Sequence, residues 1–495
     1  MSGFAEYGSF DALGLADLVR KREVSAAELL AEAMARCDRV NEKLNAVVYR
    51  LDAEAGRAAG AVDRDAPFAG VPFLIKDIGP ALAGAPLTSG SRLFANYIPQ
   101  EDGEIVRRFK AAGLVPFGKT NVPEFGLVPY TESRLFGPCR NPWDLGRTPG
   151  GSSGGAAAAV AAGIVPMAHA SDGGGSIRIP ASCCGLVGLK PSRGLNPTDA
   201  QTETMMSAFI VDHVLSRSVR DCAAALDAVC NRQDAGFLAA LERPPKPLKV
   251  AVVRGVMFGR SVAPEIKAAL DSAARLMESL GHRVEDAEPD IDYAAFGMAY
   301  LFCAAQSTKL FAHSAPEAAS RQNLELPTWT LARIGSSLSA TDKAWAEAVI
   351  ERETKTFLAF SENFDIVMSP VLGSLPIRIG ELRATAAESL AMRIVERLNS
   401  SHLMKALLKA IAAKNFAFAP FTAQYNMTGQ PALSLPLAQS AGGLPIGIQF
   451  AGKRNADGLL LRLARQLELA QPWETAGRLS RLERNLDESG LIAVA

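Results

Sequence analysis

Residues Arg147–Arg193 read RTPGGSSGGAAAAVAAGIVPMAHASDGGGSIRIPASCCGLVGLKPSR, and no other stretch of the chain has this composition. Two glycine-flanked serine clusters lie 24 residues apart, Ser152-Ser153 in GGSSGG and Ser176 in DGGGSIR. Glycine tolerates positive φ and close backbone approach, so such loops let successive N–H groups converge on one point. Convergent N–H groups attract an anion, either a bound phosphate or a transient oxyanion. The flanking residues must decide between them.

Working outward, the chain alternates short apolar runs with amphipathic ones. Helices are expected over Ser9–Lys21 and Ser25–Val40, the latter opened by a Ser25/Glu28 capping box. The buried run Phe68–Asp77, helix Gly103–Ala112 and strand Leu114–Phe117 follow. Later come strand Leu248–Val253, helix Pro264–Leu280, strands Ile366–Met368, Ala432–Leu435 and Ile446–Phe450, and helix Asp457–Leu469. This rhythm predicts an α/β protein, one large domain with a central mixed, twisted sheet covered by helices on both faces. Residues 293–421 read as a mainly helical insert within it, with long runs at Thr341–Phe360 and Ser389–Lys414.

Composition narrows the function. The 495 residues are 48% hydrophobic and 21% charged, ordinary for a soluble globular chain. With 52 Lys+Arg against 52 Asp+Glu, no net field favours nucleic acid or a membrane surface. The seven cysteines form no CxxC or zinc-ligand spacing. No secretion signal or spanning segment is visible, so a cytoplasmic protein is expected.

Two motif matches at or near the centre conflict with their surroundings. Gly113–Thr120 fits the P-loop pattern GxxxxGK[ST], but a helix precedes it, a strand fills it and Pro123 follows. Gly151–Gly155 fits the nucleophile elbow GxSxG around Ser153, yet the preceding CRNPWDLGRTPG is turn-rich rather than a strand. A Ser-His-Asp esterase would also need one of five histidines, none marked out by its setting; His169, in an apolar strand, reads as a core residue.

Read together with VPFLIKD at 71–77, GKTNVPEFG at 118–126 and NMTGQPALSLP at 426–436, the two serine clusters give a third possibility. The set resembles the amidase signature family of Ser-cisSer-Lys amidohydrolases over residues 10 to 475. The resemblance implies a triad of Lys76 as general base, Ser152 as proton relay on a cis peptide, and Ser176 as nucleophile. It implies an oxyanion hole from the backbone of Gly173, Gly174, Gly175 and Ser176, with Ser153 and Asp172 in support. It further implies an acyl pocket near Gly126, Leu127, Val128, Tyr130 and Thr131, with Trp329, Phe302 and Phe311 on a far wall. No metal or organic cofactor is implied. Where the family often reads GTDTGGS this chain has ASDGGGS, so a glycine replaces a larger residue in the turn before the nucleophile. The runs RNPWDLGR, RIPAS and GQPALSLP are similar to stand-alone bacterial members that act on apolar secondary amides, anilides, carbamates and nylon-type oligomers. The expected partner is a small-molecule amide, the expected assembly a monomer or homodimer. An A subunit of a tRNA-dependent amidotransferase is the rival within the family, although Ile179 stands where that branch usually has Gln.

The residue types suit the chemistry. A serine hydroxyl needs a base to become a nucleophile. Lysine in water titrates near about 10.4, so a lysine base must be desolvated to work near neutrality. Lys76 ends the apolar run VPFLI, and strand alternation sends the neighbouring Asp77 carboxylate to the opposite side.

Overall fold

The apolar runs pair into an eight-stranded sheet, ordered Arg283–Asp286, Lys249–Val252, Ile366–Pro370, Pro445–Gly452, Ala432–Gln439, Val187–Lys190, Val211–Ser216 and Met167–Asp172. The computed structural model describes residues 4–473 apart from 200–203, 233–235, 260, 316–319, 321 and 399. Parallel pairing is confined to the first three strands, and the other junctions are antiparallel, so the sheet is mixed.

Strand alternation explains how one sheet supports two packed layers. Val250, Val252, Ile366, Met368, Leu433 and Phe450 pack with Ile266, Leu270, Leu460 and Leu463 of helices Pro264–Ser279 and Asp457–Ala470. The intervening residues Val253, Val367, Ala432 and Ala451 face Phe357 of helix Ala340–Ser361 and Tyr425. Both faces are therefore covered, which is why these strands read as continuous apolar runs.

A three-stranded sheet of Val47–Arg50, Val115–Thr120 and Pro72–Lys76 lies beside the edge strand Met167–Asp172. The Lys76 N–H donates to His169 Nδ1 at 3.3 Å, so an imidazole takes the place of a strand carbonyl at this junction. The Gly113–Thr120 P-loop match falls on the strand Val115–Thr120, as its context indicated.

Two expectations need correcting. Ser389–Lys414 is two helices, Ala386–Leu398 and Ser401–Phe418, the second capped by the Ser400 hydroxyl. The first helix begins later than expected, at Ala12 behind an Asp11 cap, after a 3-10 turn at Ala5–Ser9. The capping box of the second is present, on a helix running from Ala26 to Leu44. Among the described residues, no helix is long and apolar enough to cross a membrane.

The helix Gly154–Ala161 that follows GGSS is buried at every position, which accounts for its alanines. A Cβ on Gly155 would lie 2.3 Å from Asn121 N and 2.6 Å from Ala46 O, both backbone atoms that cannot yield. Gly155→Ala is therefore expected to destabilise the protein by at least the 1–3 kcal/mol typical of overpacking, about 1–3 °C in Tm for a chain of this length. Differential scanning calorimetry checks this; an unchanged Tm would contradict the packing described.

Candidate active site

Lys76 ends the strand Pro72–Lys76 with its side chain 1% exposed. Its Nζ donates to Ser152 Oγ at 2.8 Å, to Ser171 Oγ at 2.9 Å and to Ser171 O at 3.3 Å. Burial pushes its pKa down to about 7, against the opposing pull of Asp212 and Asp172. That change from an ordinary lysine corresponds to on the order of 5 kcal/mol. Asp77 points away, as alternation requires: its carboxylate accepts from Thr88 N at 3.1 Å and from the Thr88 hydroxyl, and it lies 3.8 Å from Lys119 Nζ. His169 is a satisfied core residue. With Nδ1 accepting from Lys76 N, its Nε2 carries the proton and faces Asp212 Oδ1 at 3.1 Å.

The Gly151–Ser152 peptide is cis, and Ser152 is buried. Ser153 N donates to Ser176 O at 3.3 Å and Ser153 Oγ to Ser171 O at 3.3 Å, tying the two serine clusters together. Asp172 braces the second cluster, its Oδ1 accepting from Gly175 N at 2.7 Å and its Oδ2 from Ile177 N at 3.2 Å. The Gly175 N–H is thereby engaged.

Asp172 is itself paired with Arg178, both side chains fully buried. Arg178 donates to both carboxylate oxygens at 2.8 and 2.9 Å, to Thr422 O at 2.8 Å, to Gln449 Oε1 at 2.7 Å and to Asn426 Oδ1 at 2.7 Å. The guanidinium holds the Asp172 carboxyl well below the usual range despite its burial. Sequence reading did not single out Arg178, Asn426, Ser171 or Asp212. The first two lie inside the runs DGGGSIR and NMTGQP, so their motifs carried the signal and the missing information was their mutual contact.

Lys76, Ser152 and Ser176 share one cavity of about 180 Å³, walled by Ile78, Phe125, Leu127, Ile210, Leu301 and Phe311, with Gly126, Gly173 and Gly174 also on its surface. Ser176 faces a second, smaller space of about 100 Å³ lined by Gly126, Leu127, Val128, Ile179 and Phe416. Beyond Leu127 and Val128 opens an outer cavity of about 400 Å³ that Tyr130 lines. No histidine lines any of the three. Thr131 differs from expectation: it is buried, and its hydroxyl donates to Gly150 O at 2.9 Å, so it supports the GGSS loop from behind. Of the three aromatic residues expected on the far wall, only Phe311 lies on the triad's cavity. Phe302 borders a separate pocket, and Trp329 packs against the apolar cluster of Phe125, Ala312, Leu324 and Ala332.

Because Arg178 neutralises a carboxylate without access to water, Arg178→Met is expected to cost about 3–5 kcal/mol by stranding Asp172. Urea unfolding measures this, and a loss below about 1 kcal/mol would show that the pair is dispensable.

The amidase family model matches residues 28–461. The 6-aminohexanoate-cyclic-dimer hydrolase of Pseudomonas sp. (strain NK87) is 35% identical over 486 residues, covering 94% of this chain and 95% of that one. The solved structure of 6-aminohexanoate cyclic dimer hydrolase complexed with substrate matches with a TM-score of 0.84 at 32% identity, over 97% of this chain and 99% of the other. A bacterial aryl acylamidase of the amidase signature enzymes family matches with a TM-score of 0.81 at 25% identity, over 97% and 99%. A site assembled from the two serine clusters and a buried lysine, on a fold shared along the full length of these enzymes, places the chain in the amidase family, as a hydrolase of carbon–nitrogen bonds other than peptide bonds.

Proposed function

We propose that this enzyme hydrolyses the amide bond of a small apolar substrate through an acyl-enzyme on Ser176, with Ser152 as proton relay and Lys76 as general base. The observation that carries the reading is the amine held 2.8 Å from Ser152 Oγ with its pKa lowered to about 7. A neutral amine that keeps its two N–H groups on the Ser171 hydroxyl and carbonyl has its lone pair left for the Ser152 O–H.

In the first step Ser176 Oγ adds to the amide carbon as its proton passes to Ser152 Oγ and the Ser152 proton passes to Lys76 Nζ. The carbonyl oxygen becomes an oxyanion, met by the N–H groups of Gly173, Gly174 and Ser176. Each such donor contributes on the order of 3 kcal/mol. Collapse breaks the C–N bond while the proton returns from Lys76 through Ser152 to the departing nitrogen. Water then adds to the acyl-enzyme by the same route, releasing the carboxylic acid and restoring Ser176.

The cavity walls favour an apolar acyl group, with anilides, carbamates and short nylon-type oligomers as the candidate class. The cyclic-dimer hydrolase among its relatives supports a secondary amide. The buried position of both His169 and His213, away from the cavities, speaks against a Ser-His-Asp esterase.

The sign of the pH dependence follows from the base. Protonated Lys76 cannot accept a proton, so kcat/KM on a neutral amide rises with pH through about 7 and levels off above it. Lys76→Ala removes that limb and lowers amide turnover by at least about 10²-fold at every pH. Full recovery at high pH would mean that hydroxide can replace the lysine. Ser176→Ala abolishes both turnover and the acyl adduct seen by intact-protein mass spectrometry; turnover at the wild-type rate would remove Ser176 from its role. A panel of anilides, primary amides, carbamates and 6-aminohexanoate oligomers identifies the substrate, and exclusive dependence on tRNA, ATP and partner chains would instead indicate an amidotransferase subunit.

A further inference from the structure

The turn carrying Ser176 has three consecutive glycines, and apart from the Asp172 carboxylate on the Gly175 N–H its glycine peptide planes are held from outside. Thr422 Oγ1 donates to Gly174 O at 2.6 Å, and the Tyr300 hydroxyl donates to Gly173 O at 3.2 Å. A trans peptide unit directs its C=O and the following N–H in opposite directions. Anchoring the Gly173 carbonyl therefore aims the Gly174 N–H.

Tyr300 is well placed for this task. It projects from helix Tyr293–His313, stacks on Phe209 with centroids 6.5 Å apart at 18°, and meets Phe416 edge-on at 6.4 Å and 81°. Its hydroxyl lies 2.2 Å from where a Cβ on Gly174 would stand, directly against the catalytic turn. It also lines both spaces that Ser176 faces. Burial pushes the phenol pKa up, so the hydroxyl keeps its proton and stays a donor.

We propose that Tyr300 is a positioning residue for the oxyanion site, its hydroxyl fixing the Gly173–Gly174 peptide so that the Gly174 N–H meets the developing charge, with Thr422 fixing the next peptide. The inference rests on Ser176 being the nucleophile.

Tyr300→Phe keeps the ring packing and removes only the hydroxyl. Its kcat on a simple amide is expected to fall roughly tenfold, with KM within about twofold of wild type and the ascending pH limb unmoved, because Lys76 is not touched. The same fall is expected with an activated ester, which passes through the same oxyanion. A Tyr300→Phe enzyme with kcat within twofold of wild type, or with a raised KM and unchanged kcat, overturns the proposal. Should Tyr300→Phe melt far below wild type, kcat is read at a temperature where both proteins are folded, and equal kcat there overturns it. Ser176→Ala separates the two claims: turnover in that variant contradicts the nucleophile, whereas an inactive Ser176→Ala beside a fully active Tyr300→Phe contradicts only the role of Tyr300.

Discussion

An amine kept from water is the constraint on which the site depends. Lysine is a poor base near neutrality because its charged form is well hydrated, and burial removes that hydration. The strand Pro72–Lys76 delivers Nζ into a pocket with two hydroxyls and a carbonyl but no carboxylate in direct contact. The nearest acids are occupied elsewhere. Asp77 is turned toward Thr88 and Lys119, Asp172 is held by Arg178, and Asp212 faces His169. Arg178 offsets much of the attraction of Asp172, and burial outweighs the pull of Asp212 and Asp172 that remains.

The Asp172–Arg178 pair couples this local chemistry to the long-range fold. Asp172 ends an edge strand and braces the turn that carries Ser176, while Arg178, on the next helix, reaches Thr422, Asn426 and Gln449 from the last quarter of the chain. Asn426 Nδ2 returns to Asp172 O and Oδ1, both at 2.9 Å. The turn is therefore closed by segments some 250 residues distant in sequence. Buried ion pairs are seldom net stabilising, so the gain here is geometric: a glycine-rich turn that would otherwise be pliable is held at several points.

Much of this was legible in the sequence, and the misses have physical causes. Strands such as Lys249–Val252 and Ile366–Pro370 stood out because burial on both faces makes them uniformly apolar. The strand Arg283–Asp286 did not, since an edge position lets it carry charge. The helix start at Ser400 inside a continuous helical pattern was invisible, because Ser400 is as ordinary on a helix surface as at a cap. Ser152 and Ser176 stood out because glycine-flanked serine clusters are rare in packed cores, whereas Lys76, at the end of the apolar run VPFLIKD, was marked only by the family resemblance. Tyr300, Thr422 and Arg178 act through contacts far apart in sequence, and no periodicity encodes those. Thr131 shows the converse: proximity to the GKTNVPEFG run in sequence did not place it on the cavity.

The proposed chemistry requires Lys76 to be neutral when the enzyme works. The most direct measurement is a ¹⁵N NMR titration of lysine-labelled protein, with the Lys76 amine assigned by its loss in Lys76→Met. A midpoint near about 7 is the predicted result; an amine that stays protonated up to about 10, as in water, would contradict it.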